Sequence, residues 1–171
     1  PASETTPGYG WGEWNAHFRD VWRSLLNDDS YTLDRYEGAI GAGGALTGSY
    51  DLYAHNGRQP WHSLNFVTIH DGFTMYDLFS FDEKQNNCGV LNPVCCDSPT
   101  STWCDLESGE SNNRSRDWGV DNEPLKRQLM RDMFTLMMIS HGTPLLLGGD
   151  EWLRTQYGNN NAYSSGADNE Y

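Results

Sequence analysis

The chain has 171 residues and carries 24 acidic against 11 basic side chains, which gives a formal net charge of −13. A surface this negative repels nucleic-acid phosphates and anionic lipid headgroups, so the sequence predicts neither nucleic acid nor a membrane as a partner. No apolar run is long enough to cross a bilayer.

The first element that the sequence predicts is an amphipathic helix. Asn15 is a suitable N-cap, and the polar run that begins at Asn27 marks the end of the helix. Its apolar residues recur every three or four positions and so share one helix face: Trp14, Phe18, Val21, Trp22, Leu25 and Leu26. Core packing explains this face, so we assign it no chemistry.

Residues 38–49 are rich in glycine and alanine but fail both nucleotide-binding patterns. Leu46 stands where the dinucleotide fingerprint requires glycine, and the lysine of a P-loop is missing. The sequence therefore predicts a mobile connection here and no cofactor.

The central stretch of the chain is a short apolar run that ends in an imidazole and a carboxylate. Phe66, Val67 and Ile69 predict a strand buried on both faces, as in a parallel sheet. His70 and Asp71 follow directly. In a (β/α) barrel the loops after the strands build the active site, so this pair is the first candidate for catalysis. An isolated His-Asp pair more often caps a strand and bonds to a nearby turn, and it is the neighbouring residues that favour a functional role here.

Residues 72–122 form a long connection after this strand, and they contain all four cysteines, Cys88, Cys95, Cys96 and Cys104. A loop of this length in a compact domain usually builds a site or is disordered, and we favour site-building. The cysteine spacing fits no common zinc site. Adjacent cysteines seldom bond to each other, so pairings 88–95 with 96–104 and 88–96 with 95–104 both stay open. Two disulfides would indicate a secreted or periplasmic protein, whereas free thiols would suit a cytoplasmic or plastid one.

A second helix and a second buried strand follow. Residues 121–124 (DNEP) are predicted to open the helix, with a capping residue ahead of the proline in its first turn, and Gly142 is predicted to end it. Lys126 is expected opposite its apolar face, whose members are Leu125, Leu129, Met130, Met133, Phe134, Met137 and Met138. Residues 145–147 (LLL) predict the strand, which leads to Asp150 and Glu151; we expect these two acids to bond to loop backbone rather than to a substrate.

This order of elements predicts an α/β fold, namely the last βα units of a (β/α)8 TIM barrel. A complete barrel needs about 250 residues, and the chain begins at Pro1 without a methionine. We therefore expect residues 1–171 to be a fragment of a single catalytic barrel domain, with residues 72–122 as a loop on its active-site side.

Six phrases of the sequence, in order, resemble the isoamylase and glycogen-debranching branch of the α-amylase superfamily of glycoside hydrolases. The phrase at residues 65–74, NFVTIHDGFT, is similar to the last of the regions that this superfamily shares. The others are GEWN with FRD (12–15 and 18–20), LTGSYDL (46–52), KQNN (84–87), GTPLLLGGDE (142–151) and GNNNAY (158–163).

The resemblance implies a retaining (β/α)8 glycosidase acting on α-1,6 branch points of glycogen- or amylopectin-type α-glucans. Family members use a nucleophilic Asp, an acid/base Glu and a second Asp that stabilises the transition state. Only the last maps here, onto Asp71, with His70 as a sugar-binding neighbour. Asn159, Asn160 and Asn161 are further candidates for sugar contact, or simply turn the chain. The nucleophile and the acid would lie before Pro1, so we expect the 171 residues alone to be inactive.

Two other protein classes remain as alternatives. Seven tryptophans in so polar a chain suit sugar stacking as well as core packing, so a non-catalytic carbohydrate-binding module is the first alternative. The second is a metal phosphohydrolase with His70 and Asp71 as ligands, but the other histidines fit no matching pattern. We assign no metal and no cofactor; structural calcium is compatible with the acidic loops, although they lack EF-hand spacing.

Overall fold

A computed structural model describes residues 11–28, 35–36, 39–86 and 109–161. Within these ranges the strands are β1 (Glu13–Asn15), β2 (Arg35–Tyr36), β3 (Ala39–Ile40), β4 (Ser63–Asn65) and β5 (Thr143–Pro144), and the helices are α1 (Ala16–Asn27), α2 (Ala42–Leu46), α3 (Tyr50–Tyr53) and α4 (Glu123–Ile139). The described residues fall into two compact units. The first lies within Pro1–Val67 and Arg131–Leu146, the second within Thr68–Met130 and Leu147–Tyr171.

The first unit contains a three-stranded parallel sheet with β4 in the middle. β1 pairs with one side of β4, where Trp14 lies opposite Leu64, and β5 pairs with the other side, where Thr143 lies opposite the same residue. β2 and β3 form a separate antiparallel pair. A parallel sheet with intervening helices confirms the predicted α/β class.

The predicted central strand is shifted along the chain. Phe66, Val67 and Ile69 are buried as expected, at 3%, 1% and 9% exposure, but the paired residues are Ser63–Asn65. Apolar composition indicates which residues are buried. Which residues pair in the sheet depends on backbone hydrogen bonds to strands that are distant in sequence. The apolar run is therefore the buried continuation of β4.

Polar side chains hold β1 and β4 together inside the first unit. Asn15 donates from Nδ2 to the hydroxyls of Ser49 and Ser63, at 2.9 Å each. Ser63 donates to Asn65 Oδ1 at 2.6 Å, and Asn65 donates to the carbonyl of His141 at 3.0 Å. Because these buried groups satisfy one another, the register of the two strands is specified by hydrogen bonds as well as by packing.

The first helix confirms its prediction in position and cap. α1 begins after Asn15, whose side chain accepts a hydrogen bond from the backbone N–H of Phe18 at 2.8 Å. Phe18 and Trp22 are buried and pack edge to face, with ring centroids 5.7 Å apart. Trp14 differs from the prediction: it belongs to β1 and is 54% exposed, so the buried helix face begins at Phe18.

The glycine- and alanine-rich segment is partly helical, so the prediction of a mobile connection was wrong at its centre. α2 packs against α1, and Ala42, Gly44 and Ala45 are buried. Small side chains permit a close approach between helices, which composition alone does not distinguish from a flexible linker.

The long helix α4 confirms the second amphipathic prediction except at Met138, which is 52% exposed; its buried apolar residues are Leu129, Met130, Met133 and Met137. Lys126 is an exception, because it is only 4% exposed and its ammonium lies 5.6 Å from the centroid of the Tyr76 ring. A lysine stem packs against apolar surface while its charge interacts with an aromatic face. In the described ranges, no helix combines the length and the apolar character that crossing a membrane requires.

The predicted buried strand at residues 145–147 is not observed. β5 covers only Thr143–Pro144, and the backbone N–H of Leu145 adds one more hydrogen bond, to the carbonyl of Asn65 at 2.7 Å. Leu146 is 49% exposed. An apolar run has a tendency to be buried, but burial also requires a packing partner, and in the described ranges this side chain stays half uncovered.

Candidate active site

The predicted His-Asp pair lies at the end of a buried segment. Arg23 donates from Nε to the carbonyl of Val67 at 2.9 Å, and the next residue, Thr68, is 2% exposed. His70 and Asp71 then emerge at the surface. An exposed carboxylate on an anchored backbone is able to accept hydrogen bonds from an external ligand.

The chain is anchored again directly after this pair, within the second unit. Gly72 has a φ of +81°, which glycine adopts without strain, and its N–H donates to the carbonyl of Asn160 at 2.9 Å. Phe73 and Met75 are buried, at 0% and 1% exposure. Asp71 therefore stands between a buried segment and a hydrogen-bonded turn.

The three candidate asparagines occupy different environments. Asn159 is 8% exposed, and its Oδ1 accepts a hydrogen bond from the backbone N–H of Asn161 at 2.8 Å, so it turns the chain. Gln156 donates from Nε2 to the carbonyl of Asn159 at 2.9 Å. Asn160 is 1% exposed, and Asn161 is partly exposed. The structure brings Asn160 to the turn at Gly72, next to Asp71 in the chain.

Two buried carboxylates support the second unit, and sequence reasoning missed one of them, Asp77. It accepts hydrogen bonds from the hydroxyl of Thr155 at 2.5 Å and from the backbone N–H of Gln156 at 2.7 Å. The available signal was an acid in an apolar run, between Tyr76 and Leu78. Such an acid indicates a buried carboxylate with donors elsewhere in the chain.

The second buried carboxylate is Asp150, which is predicted to bond to loop backbone; one of its two hydrogen bonds comes from backbone and the other from a side chain. It accepts hydrogen bonds from the hydroxyl of Thr68 and from the backbone N–H of Met75, the latter at 3.2 Å. Glu151 accepts from the backbone N–H of Gly149 at 2.8 Å. Asp150 therefore links the segment that precedes the His-Asp pair to the segment that follows it.

Burial raises the pKa of both Asp77 and Asp150 above the ordinary value of 3.8. Hydrogen bonds from Thr155 and Thr68, respectively, oppose the rise but do not cancel it. A raised pKa means that the folded chain holds the proton more tightly than the unfolded chain does. The contribution of these two carboxyl groups to the free energy of unfolding is therefore greatest below pH 3.8. It falls as the pH rises through the pKa of the folded state.

We expect Asp150→Asn to remove this pH dependence for one carboxyl group. The amide has the same shape and no charge, so the mutant should gain stability relative to the natural protein as the pH rises from about 4 to about 7. Thermal unfolding at several pH values measures the difference in midpoint between the two proteins. Asp121→Asn, at an exposed position, is the control and should give a constant difference. A difference that stays constant for Asp150→Asn as well would contradict the assignment.

The four cysteines and the pairings predicted for them lie outside the described residues. Among the residues that the structure does describe, no group of three or more His, Cys, Asp or Glu side chains is arranged to hold a metal ion.

Comparison with known proteins places the chain beside a consistent set of relatives. No family model matches it. It is 41% identical over 160 residues to the glycogen operon protein GlgX homolog of Mycobacterium tuberculosis, 40% identical over 156 residues to an isoamylase of Flavobacterium sp, and 36% identical over 160 residues to the chloroplastic isoamylase SU1 of Zea mays. These alignments include 90%, 91% and 90% of this chain. The chain spans about a fifth of the length of these curated relatives, 20%, 18% and 18% respectively.

The relatives bear on the predicted location as well. Several are named as chloroplastic proteins, from Zea mays, Oryza sativa and Arabidopsis thaliana, and these names do not mention secretion. The prediction of a secreted or periplasmic protein depends only on disulfides between the cysteines. These relatives give it no support.

Proposed function

Because this chain belongs to the isoamylase and glycogen-debranching branch of the α-amylase superfamily, we propose that the whole protein is a glycoside hydrolase that cleaves α-1,6 branch linkages in glycogen- or amylopectin-type glucans. The observation that carries the proposal is the exposed His-Asp pair that follows the central strand of a parallel sheet. The proposal is supported by the 40% identity of this chain to a protein named isoamylase.

We assign Asp71 to stabilisation of the transition state and His70 to sugar binding. Glycosidic cleavage passes through an oxocarbenium-like state, in which positive charge develops on the sugar ring. A fixed carboxylate binds that charge and the ring hydroxyls more strongly in the transition state than in the ground state, which is the condition for catalysis. An imidazole beside it supplies a hydrogen-bond donor or acceptor for a hydroxyl.

We further propose that β1, β4 and β5 are staves of a (β/α)8 barrel. The support for this is that the three strands are parallel, that their order in the sheet is the same as their order in the chain, and that α1 follows β1 directly. Active sites of such barrels lie at the carboxyl ends of the strands, where the chain leaves β4 toward the His-Asp pair.

The reaction also needs a nucleophile and an acid/base, which retaining enzymes hold about 5–5.5 Å apart. Asp77 and Asp150 are unsuited to these roles, because both are buried and their oxygens accept hydrogen bonds from the protein. We propose that the nucleophile and the acid/base are supplied by parts of the full-length protein outside this chain, and we expect the 171 residues alone to release no sugar. Asn161, the most exposed of the three asparagines, is the best candidate among them for an additional sugar contact.

The test is the action of the full-length protein on a branched and a linear glucan. From amylopectin we expect new reducing ends and linear chains. From amylose, which has only α-1,4 linkages, we expect no new reducing ends. Hydrolysis of amylose at a comparable rate, or no hydrolysis of either polymer, would contradict the proposal.

A carbohydrate-binding module is the second candidate, because several tryptophans are exposed: Trp11 at 84%, Trp61 at 66% and Trp152 at 83%. Exposed indole rings stack on sugars. The same assay distinguishes the two functions, since a binding module would retain the polymer without producing reducing ends.

A further inference from the structure

The side chain of Asn160, whose backbone contacts the turn at Gly72, is hydrogen-bonded through all of its polar atoms. Its Nδ2 donates to the carbonyl of Glu110 at 2.7 Å and to Asn113 Oδ1 at 2.8 Å. Its Oδ1 accepts from Asn86 Nδ2 at 2.9 Å, and its backbone N–H donates to Asn86 Oδ1 at 2.9 Å. Both amide protons and the amide oxygen are therefore used within the protein.

The remaining polar group of this residue reaches the backbone beside Asp71. The carbonyl of Asn160 accepts the hydrogen bond from Gly72 at 2.9 Å. Asn86 holds both the side chain and the backbone N–H of Asn160. The peptide group that carries the carbonyl is held through the N–H of Asn161, which donates to Asn159 Oδ1 at 2.8 Å. This hydrogen bond anchors the backbone of Gly72, the residue that directly follows Asp71.

The neighbouring backbone strengthens this support. Gln85 donates from its backbone N–H to the carbonyl of Gly158 at 2.7 Å, so residues 158–160 run beside residues 85–86 with three hydrogen bonds between them. Asp77 holds the other end of the segment through the backbone N–H of Gln156. Asn160 thus joins the turn at Gly72 to two separate parts of the connection formed by residues 72–122, around Asn86 and around Glu110.

We propose that Asn160 is a positioning residue for Asp71, acting through Gly72 rather than through contact with the sugar; this rests on the function proposed above. A side chain that is 1% exposed with every polar atom engaged has no free group for a ligand. Its effect on the reaction is geometric, since a displacement of about 1 Å in a reacting group costs on the order of 100-fold in rate.

A double-mutant cycle in the full-length protein tests the proposal on a branched glucan. We expect Asn160→Ala to lower kcat by roughly 10–100-fold with little change in KM. In an Asp71→Asn background the same substitution should have almost no further effect, because the group it positions has already lost its charge. Asn112→Ala, at an exposed position in the same loop segment, is the control and should leave both parameters unchanged.

Each other outcome overturns the proposal. A higher KM with unchanged kcat would identify Asn160 as a sugar contact, and multiplicative effects of the two substitutions would identify a general structural role. If Asn160→Ala does not fold, Asn113→Ala is the substitute, because it removes only one of the hydrogen bonds of Asn160. It should lower kcat by a smaller factor, and that fall should again be absent in the Asp71→Asn background. A normal kcat for Asp71→Asn alone would refute the role assigned to Asp71, whereas the proposed function fails only if the natural full-length protein does not hydrolyse the branched glucan.

Discussion

Replacement of Asp71 by asparagine in the full-length protein should lower kcat on amylopectin by roughly 10²–10³-fold, as expected for the loss of one preorganised transition-state contact. The amide keeps the size of the side chain but removes its negative charge. It therefore binds the developing positive charge of the sugar ring less well, while binding of the ground-state substrate changes little. Initial rates over a range of substrate concentrations separate kcat from KM.

The control for this substitution is Asp121→Asn, which makes the same chemical change at another exposed aspartate. It should leave kcat unchanged. Because Asp71 lies at the surface, Asp71→Asn should also leave the thermal unfolding midpoint within about a degree of the natural protein, by the small effects typical of surface substitutions. A kcat close to that of the natural protein would end the assignment of Asp71.

The second large effect is expected for Phe73→Ala, which should lower the free energy of unfolding by about 3–5 kcal/mol. Phe73 is fully buried, and its ring centroid lies 6.2 Å from that of Phe81. Truncation removes this aromatic contact and leaves a cavity two residues after Asp71. Chemical unfolding of the full-length protein measures the loss.

Two further variants show whether this loss comes from the cavity. Phe73→Leu keeps most of the buried volume and should cost less than about 1.5 kcal/mol. Trp152→Ala removes a larger ring that is 83% exposed, and it should change the free energy by no more than about 0.5 kcal/mol. Equal costs for all three substitutions would show that Phe73 does not anchor the core of the second unit.

The elements that could be predicted from the sequence are those set by neighbours within one or two helical turns. The cap at Asn15 acts on Phe18, three residues away, and the buried face of α4 follows from apolar residues three or four apart. The resemblance to isoamylases also rests on short contiguous phrases, which can be compared without knowledge of contacts between distant residues. His70 and Asp71 could be singled out because they directly follow an apolar run.

The features that could not be predicted depend on partners far apart in the chain. The hydrogen bond from Thr68 to Asp150 spans 82 residues, and the pair formed by Asn86 and Asn160 spans 74. Nothing local distinguishes a buried asparagine with every polar atom hydrogen-bonded from the asparagines on either side of it, so residues 159–161 are equivalent candidates in the sequence.

The sequence by itself determined the α/β class, the two long helices and the His-Asp pair, because periodicity, capping and composition act over a few residues. Only the tertiary structure decided that the ladder covers Ser63–Asn65, that Leu146 stays half uncovered, and that Asp77, Asp150 and Asn160 are buried. The physical reason is that burial of a polar group is tolerated only where donors or acceptors from distant segments converge on it, and the fold alone specifies that convergence.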